Sequence, residues 1–425
     1  MKAVISNRIQ LQGSADFLEK LERELTYSLP PRMPQDPPII YKTIRPLREG
    51  LVSIPAGRLD LIPEDYEIID KRVQAPTDMP EFRYELRANQ RVVHDEVDDC
   101  AIINAWVSWG KTITALAIAK KLGQKTLVVT HTTNLRNQWE KEVKKSFDLQ
   151  PGRIGSGSFN TSSPIVVGNI QSLYRRIEEI KPMFGTVVLD EMHHVSSPTF
   201  TRIIDEMPAR YKIGLTGTLE RKDGRHVVFR DYFGSKVLKP PKENFLTPSI
   251  DVIKSEVRFL DGSYTPWAER INHLANNEEY VHSIAMIASK YAAEGHKVLV
   301  VSDRVHFLKV CHRLVGDNSV CITGDMDFEE REKTIQQIGE KNILFGTQAI
   351  FSEGISIDQL SCLVLATPVN NDPLLTQLIG RVIRKKEGKR QPKVVDIHLK
   401  GKTASRQANA RMGYYVKQGY RINVL

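Results

Sequence analysis

From about residue 86, short apolar segments with strand character alternate with helical ones, in two successive runs. The first run reads CAIINA, a loop and a helix from Thr112; TLVVT and a helix near residues 135–147; PIVVG and QSLYRRIEE; TVVLDE and a helix from Pro198; then YKIGLTGT. The second reads HSIAMIASKYAAEG, KVLVVS, RVHFLKVCHRLV, SVCITG, EEREKTIQQIG, NILFGT, CLVLAT and KVVDIH. Strands that are apolar on both sides need cover on both faces. Helical crossovers supply that cover and force neighbouring strands to run parallel. The expected class is α/β, with two doubly wound parallel-sheet domains in tandem.

Ahead of these runs, Ser14-Ala15-Asp16 has the look of a helix start, with apolar spacing at Phe17, Leu18, Leu21 and Leu25 and a stop at Pro30-Pro31. Residues 39–70 alternate short apolar runs with turn residues and read as strands. The expected organisation is a small N-terminal α+β unit over 1–80, a first α/β domain over 81–245, a proline-bearing linker over 246–275 and a second α/β domain over 276–425. A chain of 425 residues can form two or three cores.

No apolar run approaches the roughly 18 residues of a membrane span, and MKAVISNRIQLQ lacks a secretory pattern. Cys100, Cys311, Cys321 and Cys362 lie far apart, which argues for a reducing compartment and against disulfides, zinc or iron–sulfur sites. The net charge of +9 is unevenly placed: residues 381–425 hold 13 basic and 2 acidic side chains. Such a patch suits a polyanionic partner, although a solvated, solubility-promoting end has the same composition.

Three stretches carry chemistry. NAWVSWGKT, residues 104–112, lies between a strand and a helix. A helix start there offers free N–H groups to phosphate. Lys111 adds a charge for the terminal phosphates and the Thr112 hydroxyl can hold Mg²⁺. Yet Ala105 stands where G-x-x-x-x-G-K-[ST] has glycine, and Trp109 precedes Gly110. Alone, the loop fits a working phosphate site, a decayed one or a coincidence. VVLDEMHH, residues 187–194, ends an apolar strand in two carboxylates, costly to bury without a cation. Asp190 can orient Mg²⁺ and Glu191 can activate water; a capping acidic pair is the plainer alternative. QLIGRVIRK, residues 377–385, sets Arg381 and Arg384 three apart, on one face if helical. They could reach a γ-phosphate or simply be a basic surface.

In this order and spacing, over about residues 86–425, these stretches resemble the superfamily 2 helicases of the DExH group. In that group the phosphate loop begins with alanine, which suits Ala105; Ser108 and Trp109 depart from its pattern. The resemblance implies two RecA-like domains and an ATPase using Mg²⁺. It assigns Arg87 and Gln90 of ELRANQ to adenine, Ser108, Gly110, Lys111 and Thr112 to phosphate, and Thr112 and Asp190 to the metal. Glu191 becomes the base, Arg381 and Arg384 arginine fingers across an interdomain cleft, and Gly354 a close backbone approach to that cleft. His193, Thr216, Thr218 and Gln377 would couple the ATP state to the nucleic-acid path. Thr130, Gln171, Ser302, Arg304, Thr323, Thr347, Lys385 and Lys386 would line that path.

Residues 352–357, Ser108 and the 377–384 ending are similar to the phage UvsW-type branch-migration helicases, and Arg221-Lys222-Asp223 resembles an element of the XPB-like group. The implied partner is forked, bubble or junction DNA, in replication, recombination or repair, with the oligomeric state open and a monomer compatible, and the bacterial or phage-host cytoplasm as the setting; a nucleus is the alternative for an XPB-like chain. A duplex translocase that does not separate strands, and a binding protein with a decayed ATP site, are the competing readings.

Overall fold

The computed structural model describes all residues except 32–34, 108, 193–197, 218, 220–223, 242–245, 263–264, 327, 338 and 354–356. It divides into two compact units, Met1–Pro241 and Lys242–Leu425. Among the described residues, no helix is long and apolar enough to cross a membrane.

The larger sheet of the first unit runs, edge to edge, Ser158–Asn160, Gly152–Gly155, Ile165–Asn169, Thr126–Thr130, Thr186–Leu189, Tyr211–Thr216, Ala101–Asn104 and Val237–Leu238. All pairs are parallel except the first hairpin. Register aligns Leu189 with Gly214, and Thr216 with Asn104. Three strands therefore end side by side, at the edge where open parallel sheets bind ligands. Helices Lys111–Leu122 and Thr133–Phe147 cover one face, where Ile103, Leu116, Val128 and Trp139 are buried. Helices Ile170–Arg175, Pro198–Glu206 and Phe229–Phe233 cover the other, over Leu127, Val187, Ile203 and Phe233. Each large apolar side chain so buried contributes roughly 1.5–3 kcal/mol.

The N-terminal stretch has a sheet and a core of its own within the first compact unit. Its five strands run in the order Arg45–Arg48, Leu51–Pro55, Arg8–Gln12, Lys2–Ile5, Glu67–Asp70, over a core that includes Ile5, Ile9, Leu21 and Ile54. Ser14 caps the helix Ala15–Glu24, its side chain accepting from the Phe17 N–H. That helix stops at Glu24, well before Pro30. Thr26–Leu29 is instead a strand paired with Ile39–Lys42. Thr26 and Tyr27 favour strand geometry, and Tyr27 and Tyr41, opposite each other, pack onto the core of the larger sheet.

The second unit holds one parallel sheet in the order Ser319–Ile322, Ile343–Thr347, Val298–Ser302, Cys362–Leu365, Lys393–Lys400, Ser249–Arg258, Arg421–Val424. The expected linker over 246–275 is thus a ten-residue strand inside the sheet, followed by helix Trp267–Ala275. Asp251 concealed it. This carboxylate is buried in the strand and accepts from Tyr291 Oη at 2.8 Å, Lys393 Nζ at 2.8 Å and Asn423 Nδ2 at 2.7 Å, so a polar residue interrupts the apolar pattern. Nor is the basic excess of the C-terminal end all surface. Arg411 is buried on helix Lys402–Lys417 and pairs with Asp396 at 2.7 Å.

Candidate nucleotide site and nucleic-acid surface

Strand Ala101–Asn104 leads through the loop to helix Lys111–Leu122. Gly110 caps this helix with φ +98° and no side-chain cap, so no side chain covers the first N–H groups, the arrangement that attracts phosphate. Glycine is required at 110 twice over. Positive φ strains any residue with a Cβ, and a Cβ here would sit 2.4 Å from Gln90 Nε2 and 3.1 Å from an Arg87 guanidinium nitrogen. Lys111 Nζ donates to the carbonyls of Ala105 and Trp106, at 3.0 and 3.3 Å. Thr112, half-buried, follows in the first turn. Ser108 lies outside the described residues.

Trp109, the residue that made the loop doubtful, is only 1 % exposed. Its indole packs into the core with Ile103 and Ala105, edge-on to Trp106 at 6.4 Å. It anchors the loop from beneath. Its carbonyl receives donors from both adenine candidates, the Arg87 guanidinium and Gln90 Nε2, the latter at 3.1 Å. Gln90 Oε1 in turn accepts from the Arg87 N–H at 3.0 Å. Desolvation lowers the Arg87 pKa.

Asp190 follows the end of strand Thr186–Leu189 and is buried. Burial, then the charge of Glu191, push its carboxyl above the ordinary aspartate value; the Trp139 hydrogen bond and Lys111 oppose them. Trp139 Nε1 donates to Asp190 Oδ2 at 2.8 Å, and the Glu191 N–H to Oδ1 at 2.9 Å. Glu191 has φ +50°, a conformation that costs a non-glycine residue roughly 1–2 kcal/mol. Between these parts, Thr216 ends its strand buried and its carbonyl accepts from the Ala105 N–H at 3.0 Å. A Cβ at Gly217 would lie 3.7 Å from Lys111 Nζ. His193 and Thr218 lie outside the described residues.

A lysine, a helix start with no side-chain cap, a hydroxyl and a buried carboxylate at one sheet edge fit a phosphate chain with a divalent cation. A cation would relieve the cost of ionising Asp190. Trp139 is the member that the sequence reading missed. Its indole meets the carboxylate only once helix Thr133–Phe147 packs on the sheet, so no local pattern marked it.

In the second unit, helix Asp372–Gly380 carries Gln377 but ends at Gly380; Arg381 is its C-cap. The two arginines therefore do not share a helix face. Arg381 Nε donates to the Phe351 carbonyl at 2.6 Å, and Arg384 pairs with Asp358 at 2.7 Å. Gly354 lies outside the described residues, as does Arg221-Lys222-Asp223.

Several nucleic-acid candidates end parallel strands with their side chains turned inward. Thr130 Oγ1 donates to the Gly168 carbonyl at 3.2 Å, and the Ser302 hydroxyl accepts from the Arg304 N–H at 3.1 Å. Thr323 is buried against Asp325, and Thr347 is 9 % exposed. These four would meet a strand mainly through backbone. Arg304 is occupied by Asn272 Oδ1 at 2.6 Å and by Asp303. Gln171, Lys385 and Lys386 are exposed. Arg136, buried, joins the 130–139 stretch to Asn169 Oδ1 at 2.9 Å.

The family described as "Type III restriction enzyme, res subunit" matches residues 79–221, and "Helicase conserved C-terminal domain" matches 279–386. The chain is 41 % identical over 430 residues to "Probable helicase D10" of Escherichia phage T5, covering 99 % of this chain and 95 % of that one. It is 25 % identical over 341 residues to "ATP-dependent DNA helicase uvsW" of Enterobacteria phage T4, covering 74 % and 68 %. Among solved structures, a fragment assigned as an HsdR subunit of a type I restriction enzyme from Vibrio vulnificus aligns with TM-score 0.61 at 18 % identity, over 81 % and 69 % of the two chains, a likeness of fold. With two parallel-sheet units, a phosphate loop facing paired carboxylates and this kinship, the chain belongs to the superfamily 2 helicases, close to the UvsW- and XPB-like groups.

Proposed function

We propose that this chain is a DNA-stimulated ATPase that unwinds or branch-migrates forked or junction DNA in replication, recombination or repair, working in the cytoplasm of a phage-infected bacterium. The observation that carries the reading is the first unit's sheet edge, where Lys111 and the Gly110 helix start face Asp190 and Glu191. ATP would supply the phosphoryl group, and Mg²⁺, when bound, would offset the charge of its phosphates. Arg87 and Gln90 hold the adenine edge, and Lys111, Thr112 and Asp190 hold phosphates and metal. Glu191 takes the proton of the attacking water, and the family resemblance gives Arg381 and Arg384 the part of offsetting charge on the phosphoryl group. The kinship with uvsW and D10 supports the DNA substrate and the phage setting. Exposed Lys385 and Lys386 support a sequence-neutral phosphate surface.

A second reading, a duplex translocase that does not separate strands, is favoured by the match to a restriction-enzyme family and the HsdR-like fold. Phosphate release and strand displacement, measured together on single-stranded, duplex, forked and four-way DNA and on RNA, test both. The expected result is ATP turnover stimulated by forked or four-way DNA, with strand displacement, and neither in Lys111→Ala. Turnover on duplex without displacement selects the translocase, and stimulation by RNA alone overturns both.

A further inference from the structure

The N-terminal sheet makes an unusual grip on the α/β sheet behind it. Two carboxylates, Asp205 and Asp231, are 2 % and 0 % exposed. Asp205 lies near the end of Pro198–Glu206, the helix next in sequence after Asp190-Glu191. Asp231 lies on Phe229–Phe233, a helix following the Thr216-Gly217 strand end. Asp205 accepts from Arg8 at 2.5 Å and from Arg45 at 2.6 Å, while Asn7 Nδ2 donates to its carbonyl at 3.1 Å. Asp231 accepts from Tyr27 Oη at 2.8 Å, Thr43 Oγ1 at 2.7 Å and Arg58 at 3.4 Å, and its carbonyl accepts from the Gly57 N–H at 2.9 Å. These donors all lie between residues 7 and 58, on the strands of the N-terminal region and the turns that join them.

Adhesion alone does not call for this. Buried ion pairs add little net stability over apolar packing, and their best-supported use is fixing one geometry. Both helices lead back to the chemistry. A Cβ at Gly214 would come within 2.6 Å of Met192 Sδ and 3.2 Å of the Phe233 ring. The residue after Glu191 and the helix of Asp231 thus meet over one glycine, inside the core that also holds Ile203, Ile204 and Phe200 of the Asp205 helix. Close-packed interiors transmit strain, so this shared core links both helices to the segment that carries Glu191.

We propose that the N-terminal sheet is a positioning element of the ATPase: through Asp205 and Asp231 it holds the helices behind the Asp190-Glu191 and Thr216-Gly217 strand ends, and Arg8, Thr43, Tyr27 and Arg45 are positioning residues for turnover. This rests on the ATPase reading above. The test uses the full chain with Thr43→Val, Thr43→Ser and Arg45→Ala, measuring kcat and KM for ATP with and without DNA, alongside thermal melting. Thr43→Val removes a donor to Asp231 without changing shape, and Thr43→Ser restores it. The Arg45 side chain is 60 % exposed and Arg8 still pairs with Asp205 in its absence, so Arg45→Ala perturbs the fold less than loss of a fully buried donor.

The expected result is a kcat lower by threefold or more in Thr43→Val and twofold or more in Arg45→Ala, with KM for ATP within twofold of wild type and Thr43→Ser near wild type. Unchanged kcat in both variants, beside an active wild-type chain, overturns the inference alone, even where melting temperature drops. A wild-type chain that turns over no ATP under any nucleic acid removes the ATPase reading, and this inference with it.

Discussion

Gly110→Ala probes the phosphate loop where its geometry is most constrained. At φ +98° an alanine costs roughly 1–2 kcal/mol. Its methyl would also meet Gln90 Nε2 at 2.4 Å. Gln90 has little freedom to retreat: it is 3 % exposed, its Oε1 accepts from the Arg87 N–H and its Nε2 donates to the Trp109 carbonyl. Displacing it leaves buried polar groups short of a partner, at about 1–3 kcal/mol. Together the cradle conformation becomes less favourable by about 2–5 kcal/mol. The loop can relax locally, so the cost appears as a smaller competent fraction and a weaker apparent nucleotide affinity. At 1.4 kcal/mol per factor of ten, the loss is about 30-fold or more. Titration calorimetry with a non-hydrolysable ATP analogue and Mg²⁺ measures it, with melting as the check on folding. A variant that folds normally and binds within twofold of wild type would show that Gly110 does not shape the site.

Glu191→Gly separates strain from chemistry. Relieving φ +50°, net of glycine's extra unfolded entropy, should stabilise the first unit by about 1 kcal/mol relative to Glu191→Ala, or roughly 2–4 °C in melting temperature. Both variants should lose turnover, and a glycine variant melting no higher than the alanine one refutes the strain. Replacing Lys385 and Lys386 by alanine should lower the slope of log affinity against log salt by roughly 1.5 on single-stranded or duplex DNA; an unchanged slope removes both from the phosphate surface. Burial pushes Lys212 down to about 8 from the ordinary 10.5, against the opposing pull of Cys100 and Asp205 and alongside Arg72 and Arg8. Between those values the unfolded chain holds a proton that the folded one has released, so this lysine makes stability rise with pH. Cys100, whose thiol is raised chiefly by burial, acts the other way. Denaturant melts from pH 7.5 to 10 should therefore show the wild type gaining stability relative to Lys212→Met, and parallel curves would count against a buried, titrating Lys212.

The sequence by itself determined the two parallel sheets and marked the loop and carboxylates that the proposed nucleotide site would use. Unbroken apolar strands such as TLVVT and CLVLA have no stable exposed face, and a lysine after a strand–loop turn and paired carboxylates after another announce their chemistry locally. Charges satisfied at long range were not legible there. The stretch around Asp251 reads as a linker until Tyr291, Lys393 and Asn423 surround that carboxylate. Arg381 and Arg384 read as a helix face until the helix ends at Gly380. Trp109 reads as an obstruction until packing turns its indole into the core. Asp205 and Asp231 carry no local pattern of their own and find their partners only when the N-terminal region packs over them. Local pattern reports what a segment must hide. Which distant donor meets a buried carboxylate, and which way a large side chain turns, is decided only when the sheets have packed.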